Sequence, residues 1–282
     1  LAPPEYAESW DNPGLLVGSA DREVHKVYIA LDADGGAVEK AVQCGCDMIL
    51  THHPLLFSAI KSIRDEDFIG HRLMMMIENK INYFAMHTNF DVAVMADIAA
   101  DRLGLKNRMP LAMVRETESG LKGIGASGTL DDELTLAELA ALVRKAFDLP
   151  QVRCYGDPET TVRKISMCPG SGKGMDADVL KAGSQVFITG DVDHHYGIDC
   201  VEKEICVIDA GHHGLEHIFV PYMEQWLKEK HHISEWIGLG ASIGCLLLFG
   251  ADNFLIPTMI CILVALTILR KTLDQRKEVD AA

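Results

Sequence analysis

Two adjacent histidines, in the segment Thr51-His52-His53-Pro54, follow the apolar run Met48-Ile49-Leu50. The run is typical of a buried strand. Neighbouring side chains on extended backbone point to opposite sides. The two histidines can therefore bind two metal ions, or one can bind an ion while the other hydrogen-bonds to the ligands of that ion. The alternative is one structural histidine beside an exposed one. Taken alone, the pair favours that alternative, because short motifs also occur by chance.

Three further segments place histidine near a carboxylate. They are residues 87–91 (HTNFD), residues 190–195 (GDVDHH) and residues 209–216 (DAGHHGLE). His212 and Glu216 are four residues apart at the predicted start of a helix, so they share one face, as metal ligands do. Asp91 either joins such a site or caps a helix that starts near Ala93. Four segments of this kind indicate a metal site. Imidazole with carboxylate suits Zn, Fe, Mn, Co or Ni better than Ca or Mg.

The elements that would position these residues alternate along the chain. In the first half the pattern predicts strands at Lys26–Leu31, Met48–Thr51 and Ile81–Met86, and helices at Gly36–Cys44 and Phe68–Asn79. This alternation predicts an α/β fold with a parallel sheet covered by helices. Ligands of such sheets bind at the carboxyl ends of the strands, where His52 and His53 lie. Residues 2–18 are predicted to be a loop that Trp10 anchors on the core.

The second half repeats the alternation after a weakly patterned link, Leu103–Lys122. Predicted strands are Gly123–Leu130, Val152–Tyr155, Val162–Met167, Val186–Thr189 and Ile205–Ile208, and predicted helices are Leu134–Leu149, Met175–Ala182 and about His213–Lys230. Residues 169–174 (PGSGKG) lack the G-x-x-x-x-G-K-[ST] spacing of a nucleotide phosphate loop. They predict a tight glycine turn that opens a helix, where free N–H groups could still hold an anion.

Composition excludes some functions. The chain has 282 residues and a net charge of -15, which argues against a protein that wraps nucleic acid, since that function needs clustered Lys and Arg; a local basic patch is still compatible with this charge. Its eight cysteines include no C-x-x-C pair. We therefore expect reduced thiols and a cytoplasmic protein.

Five motifs in this order resemble the Nif-three-like dinuclear metal-centre family, whose members are often called GTP cyclohydrolase type 2 homologues. They are WDNPGLLVG, THHPLLF, HTNFD, TGDVDHH and GHHGLE, and the resemblance covers about Leu1 to Lys230. It implies two similar α/β domains with mostly parallel sheets and a metal site in the cleft between them. We place these halves in residues 1–110 and 111–230, followed by a hydrophobic tail, residues 231–282.

The resemblance also implies the residues of the site and the assembly. Two divalent ions per chain would be held by His52, His53, Asp91, His212 and Glu216, with Glu216 bridging them. His87 and His195 would support the ligands or act in catalysis. A ring-shaped homohexamer is implied. Longer members of the family have a domain inserted between the two halves, and this chain resembles the short form, because the spacing from Asp91 to His212 leaves no room for one. A first helix is expected before Leu1.

The function implied is that of a metal-dependent hydrolase. Two neighbouring ions lower the pKa of a water molecule and bind an oxygen-rich substrate, so a nucleotide or a similar small molecule is expected. Hydrolytic opening of the purine ring of GTP fits the family name. The alternative is a metal-binding regulator without enzyme activity that contacts transcription factors.

The tail is apolar in two runs, residues 233–249 and 254–269, separated by a turn and followed by Arg270 and Lys271. Each run is slightly shorter than the roughly 20 residues of a membrane helix. A hairpin of two membrane spans, with both ends on the cytoplasmic side, is the favoured prediction. One long tilted span or an unrelated fused segment are the alternatives. Membrane attachment would then occur through residues 233–269.

Overall fold

The computed structural model of the chain describes residues 1–117 and 120–229, together with residues 259 and 264. It divides into two compact units, Leu1–Val220 and Pro221–Ala282. In the second unit, residues 221–229 are helical. The predicted membrane hairpin in residues 233–269 lies outside the described residues, apart from those two positions. No helix of the described part is long and apolar enough to cross a membrane.

The first sheet is built from the predicted strands and one additional strand. Its members are β1 (Gly14–Val17), β2 (Val27–Ala30), β3 (Met48–Thr51) and β4 (Asn82–Ala85), in the order β1-β4-β3-β2. Strands β2, β3 and β4 are parallel, and β1 pairs with β4 in the antiparallel direction. The parallel prediction is therefore confirmed for the three adjacent strands β2, β3 and β4, whose carboxyl ends lie on the same side of the sheet.

The second sheet has six strands. They are β5 (Lys106–Thr117), β6 (Gly120–Thr135), β7 (Arg153–Tyr155), β8 (Thr161–Ser171), β9 (Val186–Gly190) and β10 (Cys206–Asp209), in the order β5-β6-β8-β9-β10-β7. Only the pairs β8-β9 and β9-β10 are parallel. The sheet is thus mixed and not mostly parallel. The observed class is a mixed α/β fold with two sheets.

Helices alternate with the strands of both sheets. They are α1 (Gly35–Gln43), α2 (Phe68–Glu78), α3 (Thr88–Phe90), α4 (Ala96–Arg102), α5 (Leu136–Ala146), α6 (Asp176–Ala182), α7 (His194–Glu202) and α8 (His212–Glu216), with a π-helical stretch at Asp91–Met95 and a short 3-10 helix at Pro4–Tyr6. Side-chain caps fix the starts of several of them. Asp34 caps α1 by accepting from Ala37 N–H, and Thr135 and Glu138 form a capping box at α5.

Burial explains why the strands hold their positions. All five residues of β9 are buried, as expected for a central parallel strand covered on both faces. Ile49 of β3 and Tyr83 of β4 are fully buried and pack with Val38 and Ala41 of α1. The strand ends that carry the chemistry are therefore held by two packed cores.

Several local predictions are corrected by the fold. Residues 14–17 are not loop but form β1, because antiparallel pairing with β4 stabilises a segment without strand periodicity. Trp10 is 55% exposed and does not anchor the core. The expected link at residues 103–122 contains the long strand β5, which spans residue 110, where the sequence suggested a domain boundary. The division into two domains stays a prediction.

Two helix predictions also change. The helical segment after β4 begins at Thr88, so Asp91 lies inside it and does not cap a helix at Ala93. Asp91 instead opens the π-helical stretch, a rare feature that is frequent at functional sites. The predicted helix from about His213 begins at His212 and is interrupted after Glu216 by a turn at residues 217–218.

Candidate metal centre

The strand ends bring the predicted ligands into one cluster. His52 and His53 directly follow β3, and Asp91 lies shortly after β4, the neighbouring parallel strand. His212 and Glu216 lie on α8, which follows β10 of the second sheet. Ligand atoms of His52, His53 and Glu216 all lie within 4.8 Å of one another. Residues more than 150 positions apart in the chain thus form one site.

The carboxylate of Glu216 is at the centre of this cluster. Its Oε2 atom lies 2.9 Å from His53 Nε2 and 3.1 Å from His212 Nε2. Its Oε1 atom lies 3.5 Å from His52 Nε2, which is also 3.5 Å from Asp91 Oδ1. Oε2 therefore faces the ring nitrogens of His53 and His212, whereas Oε1 faces the ring nitrogen of His52, which also lies near Asp91.

The three histidines share the same hydrogen-bonding pattern at their other ring nitrogen. Nδ1 of His52 lies 2.7 Å from the carbonyl oxygen of Met86. Nδ1 of His53 lies 2.8 Å from Asp32 Oδ1, and Nδ1 of His212 lies 2.7 Å from Asp191 Oδ2. Each Nδ1–H donates to its oxygen, so the neutral form of each imidazole has its lone pair on Nε2. This is how proteins orient histidines that bind a metal.

The donor atoms fit a bound cation. His52 Nε2, Asp91 Oδ1 and Glu216 Oε2 are buried, and none has a hydrogen-bond partner among the described residues. Buried polar atoms normally have one, so each of these needs an explanation. Donor atoms that share one ion at about 2.1 Å stand about 3.0–3.4 Å apart in octahedral or tetrahedral geometry. The separations of 2.9–3.5 Å around Glu216 match that spacing.

Electrostatics also favour positive charge here. Burial opposes the charged form of His53, but Asp32 and Glu216 outweigh it and raise its pKa to about 10. Glu216 raises the pKa of His212 to about 9 against the effect of burial. Burial, together with the charge of Glu216, raises the pKa of Asp91 to about 6. A metal ion that binds here must replace protons on the imidazoles.

Gly170 is part of the site, although the sequence suggested only a glycine turn. Its φ of +75° favours glycine, and a Cβ atom added to it would overlap Glu216 Oε1 and approach His212 Nε2 to 3.4 Å. The glycine-rich segment at the end of β8 thus makes room for the carboxylate. Its position after a predicted strand was the one signal for this role.

Tyr83 holds the loop that carries His53. Its buried hydroxyl accepts from Leu55 N–H at 2.8 Å and donates to the carbonyl oxygen of His53 at 2.9 Å. It also lies 2.9 Å from Thr51 Oγ1. The backbone on both sides of the histidine pair is therefore tied to β4.

The two predicted catalytic histidines lie in different surroundings. His87 lies beside the cluster, with ring centroids 5.4 Å from His52 and 5.7 Å from His53, and its Nδ1 lies 2.7 Å from Asp11 Oδ1. His195 is exposed on α7, where its ring packs on His194. In the part of the chain that the structure describes, no contact joins His195 to the five predicted ligands. Its role stays a prediction.

A cavity of about 490 Å³ opens beside the cluster. It is lined by Leu31, Asp32, His53, Pro54, Phe57, His87, His212 and His213. His53 and His212 are partly exposed to it, whereas the side chains of His52 and Glu216 are 0% and 4% exposed. The centre is thus closed by protein on one side and open to a cavity on the other.

A mixed α/β fold with histidines and carboxylates gathered at strand ends defines a candidate metalloprotein. The chain belongs to the Duf34/NIF3 (NGG1p interacting factor 3) family, whose profile matches residues 1–238. The resemblance read from the five motifs is therefore confirmed.

Individual relatives support this assignment. The chain is 36% identical over 242 residues to a "GTP cyclohydrolase 1 type 2 homolog" of Streptomyces coelicolor, covering 83% of each chain. It is 33% identical over 234 residues to a protein of the same name from Clostridium acetobutylicum, covering 82% of this chain and 87% of the relative. A crystal structure of a Staphylococcus aureus protein superposes with a TM-score of 0.72 at 26% identity, covering 82% and 89% of the two chains.

Glu216→Gln should remove the charge that both sets of donor atoms face while keeping the shape of the side chain. Because the change affects a predicted direct ligand, metal affinity should fall by more than the roughly 10- to 100-fold that outer partners contribute. Metal analysis after loading with Zn²⁺ or Mn²⁺ measures this. Glu202→Gln, at an exposed position of α7, is the matched control. Retention of the wild-type metal content in Glu216→Gln would contradict the ligand assignment.

Gly170→Ala should reduce metal binding through the contact of its new methyl group with Glu216. Gly174→Ala is its control, because Gly174 also has a positive φ, +90°, but no atom within 4 Å of an added Cβ. Both variants bear the backbone cost of alanine at positive φ, about 1 kcal/mol. Only Gly170→Ala should lose metal affinity by tenfold or more, measured by titration. Equal metal affinities in the two variants would show that Gly170 does not shape the site.

Proposed function

We propose that the chain binds two divalent metal ions through His52, His53, Asp91, His212 and Glu216, with Glu216 bridging. The two oxygens of Glu216 support this, since each faces a different set of donors. The first set comprises His53 and His212, and the second comprises His52 and Asp91. Nitrogen and oxygen donors of this kind suit Zn, Fe, Mn, Co or Ni.

We propose that this centre serves a metal-dependent hydrolase acting on a nucleotide or a similar small substrate. The observation that carries the proposal is a cluster of buried nitrogen and oxygen atoms that have no hydrogen-bond partner among the described residues. This cluster lies beside a cavity of about 490 Å³. Two ions held by these residues would lower the pKa of a bound water molecule and would neutralise charge on substrate oxygens. The names of the relatives, GTP cyclohydrolase 1 type 2 homologues, make GTP the first substrate to test.

His87 is suited to move a proton in this reaction. Asp11, whose side chain is fully buried, accepts from His87 Nδ1–H and leaves the lone pair on Nε2. Contacts with Thr88 and His87 outweigh burial and lower the pKa of Asp11 to about 2, so the carboxylate stays charged. An imidazole oriented by a carboxylate is the usual arrangement of a general base. His87 also lines the cavity, where a substrate would meet it.

We also propose that the two sheets are the cores of two similar domains, with the centre in the cleft between them. Each sheet has three adjacent parallel strands, β2-β3-β4 and β8-β9-β10. The ligands or their hydrogen-bond partners follow the carboxyl ends of these strands, as the general rule for open α/β sheets requires.

The metal and turnover measurements should be made together on the full chain. We expect about two ions per chain and GTP turnover that a chelator abolishes and added metal restores. His87→Gln should keep the metal and lower kcat by about 100- to 10,000-fold, the usual range for a general base. Two ions with no turnover of GTP or other nucleotides would refute the hydrolase and favour a regulator that contacts transcription factors. Absence of metal would refute the dinuclear centre.

We propose in addition that the chain forms a homo-oligomer, in line with the expected hexamer. Strand β5 lies at the edge of its sheet and exposes Met109, Met113 and Val114, each about half exposed. A long apolar edge is normally covered by a partner.

Light scattering on the purified chain should give a mass several times 31.0 kDa. Met113→Lys should lower that mass, whereas a monomeric wild-type protein would refute the proposal.

A further inference from the structure

Two large aromatic side chains beside the candidate centre are exposed. Trp10 is 55% exposed and Phe57 is 53% exposed. Their ring centroids lie 5.7 Å apart, and they lie 6.0 Å and 6.2 Å from the ring of His87. Adjacent exposed aromatic side chains next to a cavity are typical of a ligand-binding surface.

Hydrogen bonds hold this pair in place. Asp11, the neighbour of Trp10, accepts from His87 Nδ1–H and from Thr88 N–H at 2.7 Å and 2.9 Å. Asn12 Nδ2 donates to the carbonyl oxygen of Leu56 at 2.6 Å, next to Phe57. The Trp10 loop is thus tied to His87 on one side and to the Phe57 segment on the other. A surface held in this way loses little conformational freedom when a ligand binds.

The cavity divides into two chemical halves. Phe57, Pro54 and Leu31 give it apolar walls, whereas His53 and His212 belong to the candidate centre. None of its lining residues is Lys or Arg, so an anionic group in it would find positive charge only at the candidate centre, from bound metal or from protonated His53 and His212. The apolar walls would then face the part of the ligand that carries no charge.

We propose that Phe57 and Trp10 form a stacking surface for the planar heterocyclic base of a nucleotide whose oxyanion binds at the metal centre. This inference rests on the proposed function and deepens it. Phe57 lines the cavity and contacts the base directly. Trp10 packs against both Phe57 and His87 and extends the aromatic surface. Stacking of this kind accepts every base, because each has a flat π-face.

The test compares two ligands that differ only in the base. GMP and ribose 5-phosphate are titrated by calorimetry into the metal-loaded full chain. The wild-type protein should bind GMP more tightly than ribose 5-phosphate. Phe57→Ala should weaken GMP binding by about 5- to 150-fold, the range for removal of one stacking ring, and leave ribose 5-phosphate unchanged. Trp10→Ala should act in the same direction, and Trp10→Phe should restore most of the affinity.

Phe68→Ala is the matched control. Phe68 is 65% exposed, its ring packs under Arg72, and it is not among the residues that line the cavity. Metal content and melting temperature are measured for every variant, so that a damaged fold is recognised. Trp10 fluorescence adds a second readout, since GMP should quench it in the wild type, and the quenching should be lost in Trp10→Phe.

Equal weakening of both ligands in Phe57→Ala, or no weakening of either, would overturn the stacking surface. Failure of the wild type to distinguish GMP from ribose 5-phosphate would overturn it as well. A failure of the proposed hydrolysis would give a different result. GMP would still bind more tightly than ribose 5-phosphate, and this difference would depend on Phe57, but no nucleotide would be hydrolysed.

Discussion

The carboxylate of Glu216 among three histidine nitrogens is the interaction on which the site depends. Its side chain is 4% exposed, and burying a charge without partners costs several kcal/mol. The contacts with His212, His52 and His53 outweigh that burial and hold the pKa of Glu216 far below its usual range. The negative charge therefore persists in the interior, and it needs positive charge beside it, either from protons on the imidazoles or from bound metal. Gly170 gives the carboxylate its space, because any side chain there would overlap Glu216 Oε1.

The geometry of the centre follows from the topology of both sheets. The partners of the three histidines come from strand ends: Asp32 shortly after β2, Met86 directly after β4 and Asp191 directly after β9. Parallel strands bring their carboxyl ends to one edge, so the same arrangement that supplies the ligands also supplies the groups that orient them. Tyr83 adds a tie from β4 to the loop after β3, which fixes the backbone between Thr51 and Leu55. The histidines are thus oriented from outside the cluster, by elements whose own positions are set by packing.

Sequence reasoning found the elements that have strong local signals. Strand β3 was predicted with its observed bounds, and His52 and His53 follow it as expected, because apolar runs and adjacent histidines are visible in one short window. Asp32 had no such signal, whereas Asp191 lies in the histidine-rich segment 190–195 and Gly170 follows a predicted strand. The roles of all three depend on contacts between segments that are distant in the chain, so the sequence alone could not assign them. Strand β5 was missed because an edge strand with an irregular burial pattern lacks a regular period. The sequence predicts that Trp10 anchors its loop on the core. Its actual contacts with Phe57 and His87 join segments that are distant in the chain, so they could not be predicted from the local sequence.

The side chains of the cluster differ in their exposure to solvent, and this difference bears on the function of the centre. Structural metal sites are closed by protein ligands on all sides, whereas catalytic sites keep a position open. Here the side chains of His52 and Glu216 are 0% and 4% exposed, but those of His53 and His212 are 22% and 34% exposed. The two sets of donors around Glu216 therefore differ in access: the His52 and Asp91 side lies in the interior, and the His53 and His212 side faces the cavity. An ion on the inner side would be held by protein alone, and an ion on the outer side would be free to bind a ligand. Such a division favours a centre that acts on small molecules over one that only stabilises the fold.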